Sequence, residues 1–226
     1  MTFSCIIPAY NEWPRIRKVL ETAIESPLLS EVIVVNDGST DNTQAMIDSF
    51  DHPKLIKISQ HNAGKAKALF AWIERSSWDH IVMIDSDLIG LRSEHITSLI
   101  EPIAHQEREV TLSIRENSLM IYKWLGTDFV SGERVVPRTL LQENELYLTT
   151  GPWFGLEVKM NELIRAKGYR VKNVAFPGVI TPRKSEKIGL IRGSLADAMM
   201  LGEILRSVSV LRILRQIWYF SRFHQS

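Results

Sequence analysis

The feature that most constrains this chain is an alternation in its first 90 residues, where short apolar runs are each followed by an amphipathic stretch. Residues 3–7, 31–35, 55–59 and 80–84 have the length and composition of strands, and the first, second and fourth read as buried ones. Between them, Ile16, Val19, Leu20, Ala23 and Ile24 fall on one face of a helix, and Ala66, Leu69, Phe70 and Ile73 repeat the pattern. Ser39 or Thr40 is placed to cap a further helix running to Phe50. Strands alternating with helices of this length imply right-handed crossovers and a mainly parallel sheet.

In such sheets ligands bind beyond the carboxyl ends of the strands, near the point where strand order reverses. The chemistry is therefore expected in the loops after Ile7, Val35 and Ile84. Beyond residue 109 the pattern is less regular. Strands are expected at 109–113, 128–131 and 170–174, with a helix over Leu156–Lys167. Residues 174–193, rich in Pro, Gly and basic side chains, read as a connector, and 195–223 as one long amphipathic helix.

Composition matters mainly for what it excludes. A net charge of +1 over 226 residues gives no basic surface of the kind a nucleic-acid binder needs, so any phosphate site must be built locally. The single cysteine, Cys5, lies in an apolar run and reads as an inert buried thiol. With no signal-peptide pattern at Met1 and no apolar stretch near the roughly 18 residues of a spanning helix, a cytoplasmic location is expected.

Three strand-end loops carry acidic or aromatic groups. The first, Pro8-Ala9-Tyr10-Asn11-Glu12, offers a ring for a base or ribose and a carboxylate beside it, though an ordinary βα turn would look the same. The second, Asn36-Asp37-Gly38-Ser39-Thr40-Asp41, places Asp37 at a strand end, with Asp41 a helix-start residue; a capping turn is the plain alternative. The third, Asp85-Ser86-Asp87, ends a buried strand. Carboxylates two residues apart on an extended chain project to one side, and they repel unless something positive sits between them. A divalent cation on a diphosphate meets that need, because Mg²⁺ and Mn²⁺ favour oxygen ligands. Between these loops, Asn62-Ala63-Gly64-Lys65 opens a helix, where an anion would be favoured or the lysine simply solvated.

These four segments, in this order and spacing, resemble glycosyltransferase family 2 over roughly the first 90 residues. The resemblance implies a GT-A fold, a Rossmann-like α/β/α sandwich. It would comprise a single catalytic domain over 1–193, with a nucleotide-sugar half (1–90) and an acceptor half (91–193), followed by an amphipathic helix at 194–226. It implies that Pro8, Ala9, Tyr10, Glu12 and Asp37 line the base and ribose of a UDP- or GDP-sugar, and that Lys65 lies near the nucleotide. Asp85 would hold the ribose or a metal-bound water, Ser86 would contact the donor, and Asp87 would ligate Mg²⁺ or Mn²⁺ on the diphosphate. The segment Ser131-Gly132-Glu133-Arg134 resembles a Ser-Gly-Phe-Arg stretch of polyprenyl-phosphate sugar transferases, with Glu133 replacing the aromatic and Arg134 expected on phosphate. Gly155-Leu156-Glu157 resembles the acceptor-side helix of many members, and also that of glucosyl-3-phosphoglycerate synthases.

Glu157 is accordingly the expected base, with an exposed first-turn glutamate as its alternative. Arg115, Arg183 and Lys184 join Arg134 as phosphate candidates. The acceptor is a hydroxyl or a phosphate, lipid-linked if the basic C-terminal helix lies at a membrane interface; that helix could equally pack on the core or on a second copy. The rivals are a nucleotidyltransferase, which would carry a Gly-rich basic loop after the first strand, and a catalytically silent nucleotide-sugar-binding protein.

Overall fold

The computed structural model describes residues 1–73, 78–150, 155–182 and 210–222. Its centre is a seven-stranded sheet of order β3-β2-β1-β4-β6-β5-β7. The strands are β1 (Phe3–Ala9), β2 (Glu31–Asp37), β3 (Leu55–Gln60), β4 (His80–Met83), β5 (Val110–Arg115), β6 (Arg134–Pro137) and β7 (Val171–Phe176). Helices α1 (Ile16–Glu25), α2 (Thr43–Asp48) and α3 (Lys65–Ile73) connect the first four strands. They are followed by α4 (Ser93–Ala104), α5 (Met120–Leu125), α6 (Arg138–Gln142), α7 (Glu145–Thr149) and α8 (Leu156–Lys167), with α9 (Val210–Ser221) near the C-terminus. Strands β1 to β4 pair in parallel, as do β5 and β7; β6 runs antiparallel between β4 and β5.

The two-residue period of the strands divides the core. Cys5, Ile7, Val32, Val34 and Val82 face Ile16, Val19, Leu20 and the apolar face of α4, while Ile6, Ile33, Val35, Ile81 and Met83 face α3, α6 and α8. The result is an α/β/α sandwich. Because β2 lies on one side of β1 and β4 on the other, strand order reverses at β1, and a crevice opens beyond Ala9 and Met83.

Several expectations need correction. Residues 128–131 form a turn, closed by Ser131 N–H on the Asp128 carbonyl at 2.9 Å, and the strand begins three residues later at Arg134. The apolar pair that pairs with β4 is Val135-Val136, whereas Asp128 and Ser131 turn their side chains into a polar cluster. Helix α2 is not capped by Ser39 or Thr40; it starts at Thr43, whose N–H is held by Asp41 Oδ1 at 2.9 Å, as expected of a helix-start residue. Strand β7 continues through Phe176, so the connector begins later than Val174.

Of the long C-terminal helix, the described part packs on the core. Gln216 donates to the Val158 carbonyl at 3.1 Å, Tyr219 donates to the Tyr169 carbonyl at 2.7 Å, and Phe220 is buried. Trp218, 67% exposed, marks its outer face. The rest of that expected helix, like Arg183 and Lys184, lies outside the described residues. Among the described residues no helix is long and apolar enough to cross a membrane.

Cys5 is fully buried in β1, and burial pushes its thiol pKa well above the ordinary value. The native protein should therefore be inert to a thiol reagent at pH 8, and reactive at one site per chain once unfolded in guanidinium. Rapid labelling under native conditions would show that β1 opens locally.

Candidate active site

The crevice at the strand-order reversal is a cleft of about 210 Å³ lined by Pro8, Ala9, Tyr10, Glu12, Asp37, Lys65, Asp85, Ser86 and Asp87. Local geometry brings them there. Pro8 and Ala9 are the last residues of β1, Asp37 is the last of β2, and Asp85 to Asp87 come one residue past the end of β4. Tyr10 stands at the rim, 47% exposed, with its ring available for stacking.

The loops are tied to one another by side chains whose role no local pattern reveals. Asn11, at φ 55°, accepts Thr40 N–H at 2.8 Å, and its own N–H donates to Ser39 Oγ at 3.0 Å. Asn tolerates this left-handed conformation better than most residues. Thr43 Oγ1 accepts the N–H groups of Glu12 and Trp13 at 2.9 and 3.0 Å. Asp37 also holds the backbone together, because its carboxylate accepts Gln60 Nε2 at 2.7 Å and the N–H groups of Ala63 and Gly64 at 2.8 Å each. Those bonds keep the start of α3 against the end of β2. Gly38 allows the approach, since a Cβ there would meet Asn62 N at 2.7 Å.

Lys65, the first residue of α3, reaches across the cleft. Its Nζ lies 2.7 Å from Asp85 Oδ1 and 3.0 Å from Glu157 Oε1 in the first turn of α8. Burial alone would lower the lysine pKa, but the two carboxylates outweigh it and hold the ammonium firmly charged. Glu157 shows the converse. Burial would raise its pKa, but Lys65 and Arg134 hold it below the ordinary carboxylate range.

Asp85 is confined on its other side by Gly132, where an added Cβ would lie 2.3 Å from Asp85 Oδ2. The obstacle is a side-chain end that can swing away, so Gly132→Ala should cost little stability. It should nevertheless displace the Asp85 carboxylate from the cleft and weaken nucleotide binding with Mn²⁺ by about tenfold or more, the effect of losing a charged contact to the bound pair. An unchanged dissociation constant in calorimetry would show that Asp85 has other room.

Two expected phosphate ligands point inward. Arg134 is 0% exposed; it donates to the Ser131 carbonyl and to Asn161 Oδ1 at 3.1 Å, so it presents no face to the cleft. Arg115 is held by Glu133 at 3.3 Å, by Thr181 Oγ1 at 2.8 Å and by Asp128 at 3.6 Å. Glu133, whose place the resemblance gives to an aromatic, is fully buried and also accepts from Ser113 and Ser131 at 2.7 Å each. A carboxylate at that depth requires a cation beside it, and Arg115 supplies one. Burial still raises the Glu133 pKa against that attraction.

The cleft is thus lined by four carboxylates, Glu12, Asp37, Asp85 and Asp87, with the Lys65 ammonium on Asp85 and Arg15 on Glu12 at 3.2 Å. Among the described residues no three of His, Cys, Asp or Glu converge as a ready-made metal cage. The donor set is nonetheless hard oxygen with no thiolate or imidazole, which fits a Mg²⁺ or Mn²⁺ that keeps several waters and takes further ligands from phosphates.

Fold and cleft together define a GT-A protein. The profile of glycosyl transferase family 2 matches residues 4–159, and the chain belongs to that family. It is 36% identical over 85 residues to the uncharacterized glycosyltransferase YaiP of Escherichia coli K12, covering 36% of this chain and 21% of that protein. It is 26% identical over 219 residues to the bactoprenol glucosyl transferase of Shigella phage SfV, covering 93% of this chain. The chain spans 55% of the phage enzyme's length. Among solved structures, glucosyl-3-phosphoglycerate synthase from Mycobacterium tuberculosis, in complex with Mn²⁺, UDP and phosphoglyceric acid, superposes with a TM-score of 0.70 at 23% identity. That match covers 96% of this chain and 78% of the synthase, and supports the shared fold.

Proposed function

We propose that this chain is a metal-assisted glycosyltransferase that moves a sugar from a UDP- or GDP-sugar to an acceptor hydroxyl or phosphate, with inversion at the anomeric carbon. The observation that carries the reading is the pair Asp85 and Asp87 at the end of β4, sharing one cleft with Tyr10 and Asp37 at the strand-order reversal. An anionic diphosphate would be repelled from such a cleft unless a cation came with it. The similarity to bactoprenol glucosyl transferases over 93% of the chain favours a lipid-linked phosphate as acceptor.

In this reading Tyr10 stacks on the base, and Pro8, Ala9, Glu12 and Asp37 shape the base and ribose site. Ser86 contacts the donor, Asp85 holds the ribose or a metal-bound water, and Asp87 would hold the Mg²⁺ or Mn²⁺. When bound, that ion would supply positive charge against the leaving diphosphate oxygen. Glu157 takes the proton of an acceptor hydroxyl as the acceptor oxygen bonds to the anomeric carbon and the carbon–oxygen bond to the diphosphate breaks. Residues 1–90 serve the donor and 91–193 the acceptor. Arg134 contributes its charge to Glu157 rather than a bond to phosphate, as the depressed carboxylate pKa supports.

A thermal-shift panel of UDP, GDP and their sugars, with and without Mn²⁺, tests the reading. A nucleotide at 100 times its dissociation constant should add about 2.7 kcal/mol of stability. If none stabilises the protein under either metal condition, the donor site is misassigned.

A further inference from the structure

We propose that Lys65 is a placeholder for the divalent cation: its ammonium occupies Asp85 until a nucleotide diphosphate draws it away, so metal and nucleotide bind together rather than separately. The inference rests on the donor-site reading above and concerns how that site fills.

Three observations carry it. Lys65 Nζ lies 2.7 Å from Asp85 Oδ1, the distance of a charge-assisted hydrogen bond, and 3.0 Å from Glu157 Oε1. Asp85 cannot withdraw toward Gly132, because there is no room for even a Cβ between that backbone and its carboxylate. The root of the lysine is fixed as well, since Asp37 holds the N–H groups of Ala63 and Gly64 just before it. A cation approaching Asp85 and Asp87 must therefore compete with an ammonium already in place.

The protein alone offers a cation few ligands, since among the described residues no three His, Cys, Asp or Glu side chains converge to hold a metal. Lysine, by contrast, is a compact charge on a flexible four-carbon stem, and the Lys65 side chain is 32% exposed. A diphosphate entering the cleft would give the ammonium a new anionic partner, free Asp85, and bring the oxygen ligands that a hard cation lacks. Each ligand then raises the affinity of the other by the same factor, as linkage requires.

The test measures Mn²⁺ binding by the electron paramagnetic resonance of free Mn²⁺, with and without UDP, in wild type, Lys65→Met and Lys65→Arg. Circular dichroism checks that each is folded, and Lys65→Gln replaces the methionine variant if that one is not. Wild type should bind Mn²⁺ poorly alone and well with UDP. Lys65→Met should bind Mn²⁺ alone roughly tenfold or more tightly than wild type, the scale expected from removing a like charge a few ångströms from the cation. Its gain in Mn²⁺ affinity on adding UDP should shrink correspondingly, while Lys65→Arg, which keeps the charge, should bind Mn²⁺ alone as poorly as wild type. Equal or weaker binding of Mn²⁺ alone by Lys65→Met, or an equal gain in Lys65→Arg, overturns the inference while leaving the donor site standing if UDP still binds wild type. Failure of wild type to bind UDP or GDP with Mn²⁺ overturns both.

Discussion

Asp87→Ala should abolish the part of nucleotide stabilisation that depends on Mn²⁺ and lower sugar transfer by about a thousandfold. That loss corresponds to several kcal/mol of charge stabilisation at the leaving diphosphate. The same substitution should leave the unliganded fold nearly untouched. Asp87 lines the cleft just past β4, 9% exposed, where it feels both the like charge of Asp85 and the opposite charge of Arg115, so truncating it loses an attraction as it relieves a repulsion and opens no apolar cavity. The discriminating measurement is a melting curve with UDP, taken with and without Mn²⁺, for both proteins. A metal-dependent shift that survives in the variant would mean that the cation sits elsewhere, and the pairing of Asp85 with Asp87 would lose its explanation.

Glu157→Gln should lower kcat by roughly 10²–10⁴-fold, the usual contribution of a general base, while changing the donor dissociation constant little. The pH profile of the wild type supplies a second check. Burial would raise the Glu157 pKa, but Lys65 and Arg134 hold it below that of an ordinary glutamate near 4.3. A depressed carboxylate stays ionised above its unfolded value and loses its charge only as pH falls through the lower folded one. Activity should thus stay level through mildly acidic pH, with its acid limb below about 4.3. Lys65→Met removes one of the two cations and should move that limb upward. A kcat loss under tenfold in Glu157→Gln would indicate that the acceptor arrives as an anion and that Glu157 only orients it.

Legibility in the sequence followed the range of the forces involved. Strands β1 to β4 and helices α1 and α3 emerged from hydrophobic period alone, because each buries a face that its own spacing defines. Helix α4 went unread although Ile96, Leu99, Ile100 and Ile103 repeat at helical spacing after Ser93-Glu94; Pro102 near its end obscures the pattern. The misplaced strand at 128–131 has a different cause. That segment is buried as a strand would be, but through side-chain bonds of Asp128 and Ser131 to partners at Ser118, Ser113 and Glu133.

What the chain determined by itself is the acidic rim of the sheet. A side chain in the first residues past a buried strand has its direction set by the strand, so Ala9, Asp37, Asp85 and Asp87 could be placed at one sheet edge from local pattern. The long cationic side chains were decided only by the tertiary structure. Lys65 reaches partners 20 and 92 residues away, and Arg134 and Arg115 turn inward because Glu133, Glu157 and Asp128 are buried near them. A flexible charged group settles where the surrounding charges balance it, and that balance exists only once the whole sheet has closed around it.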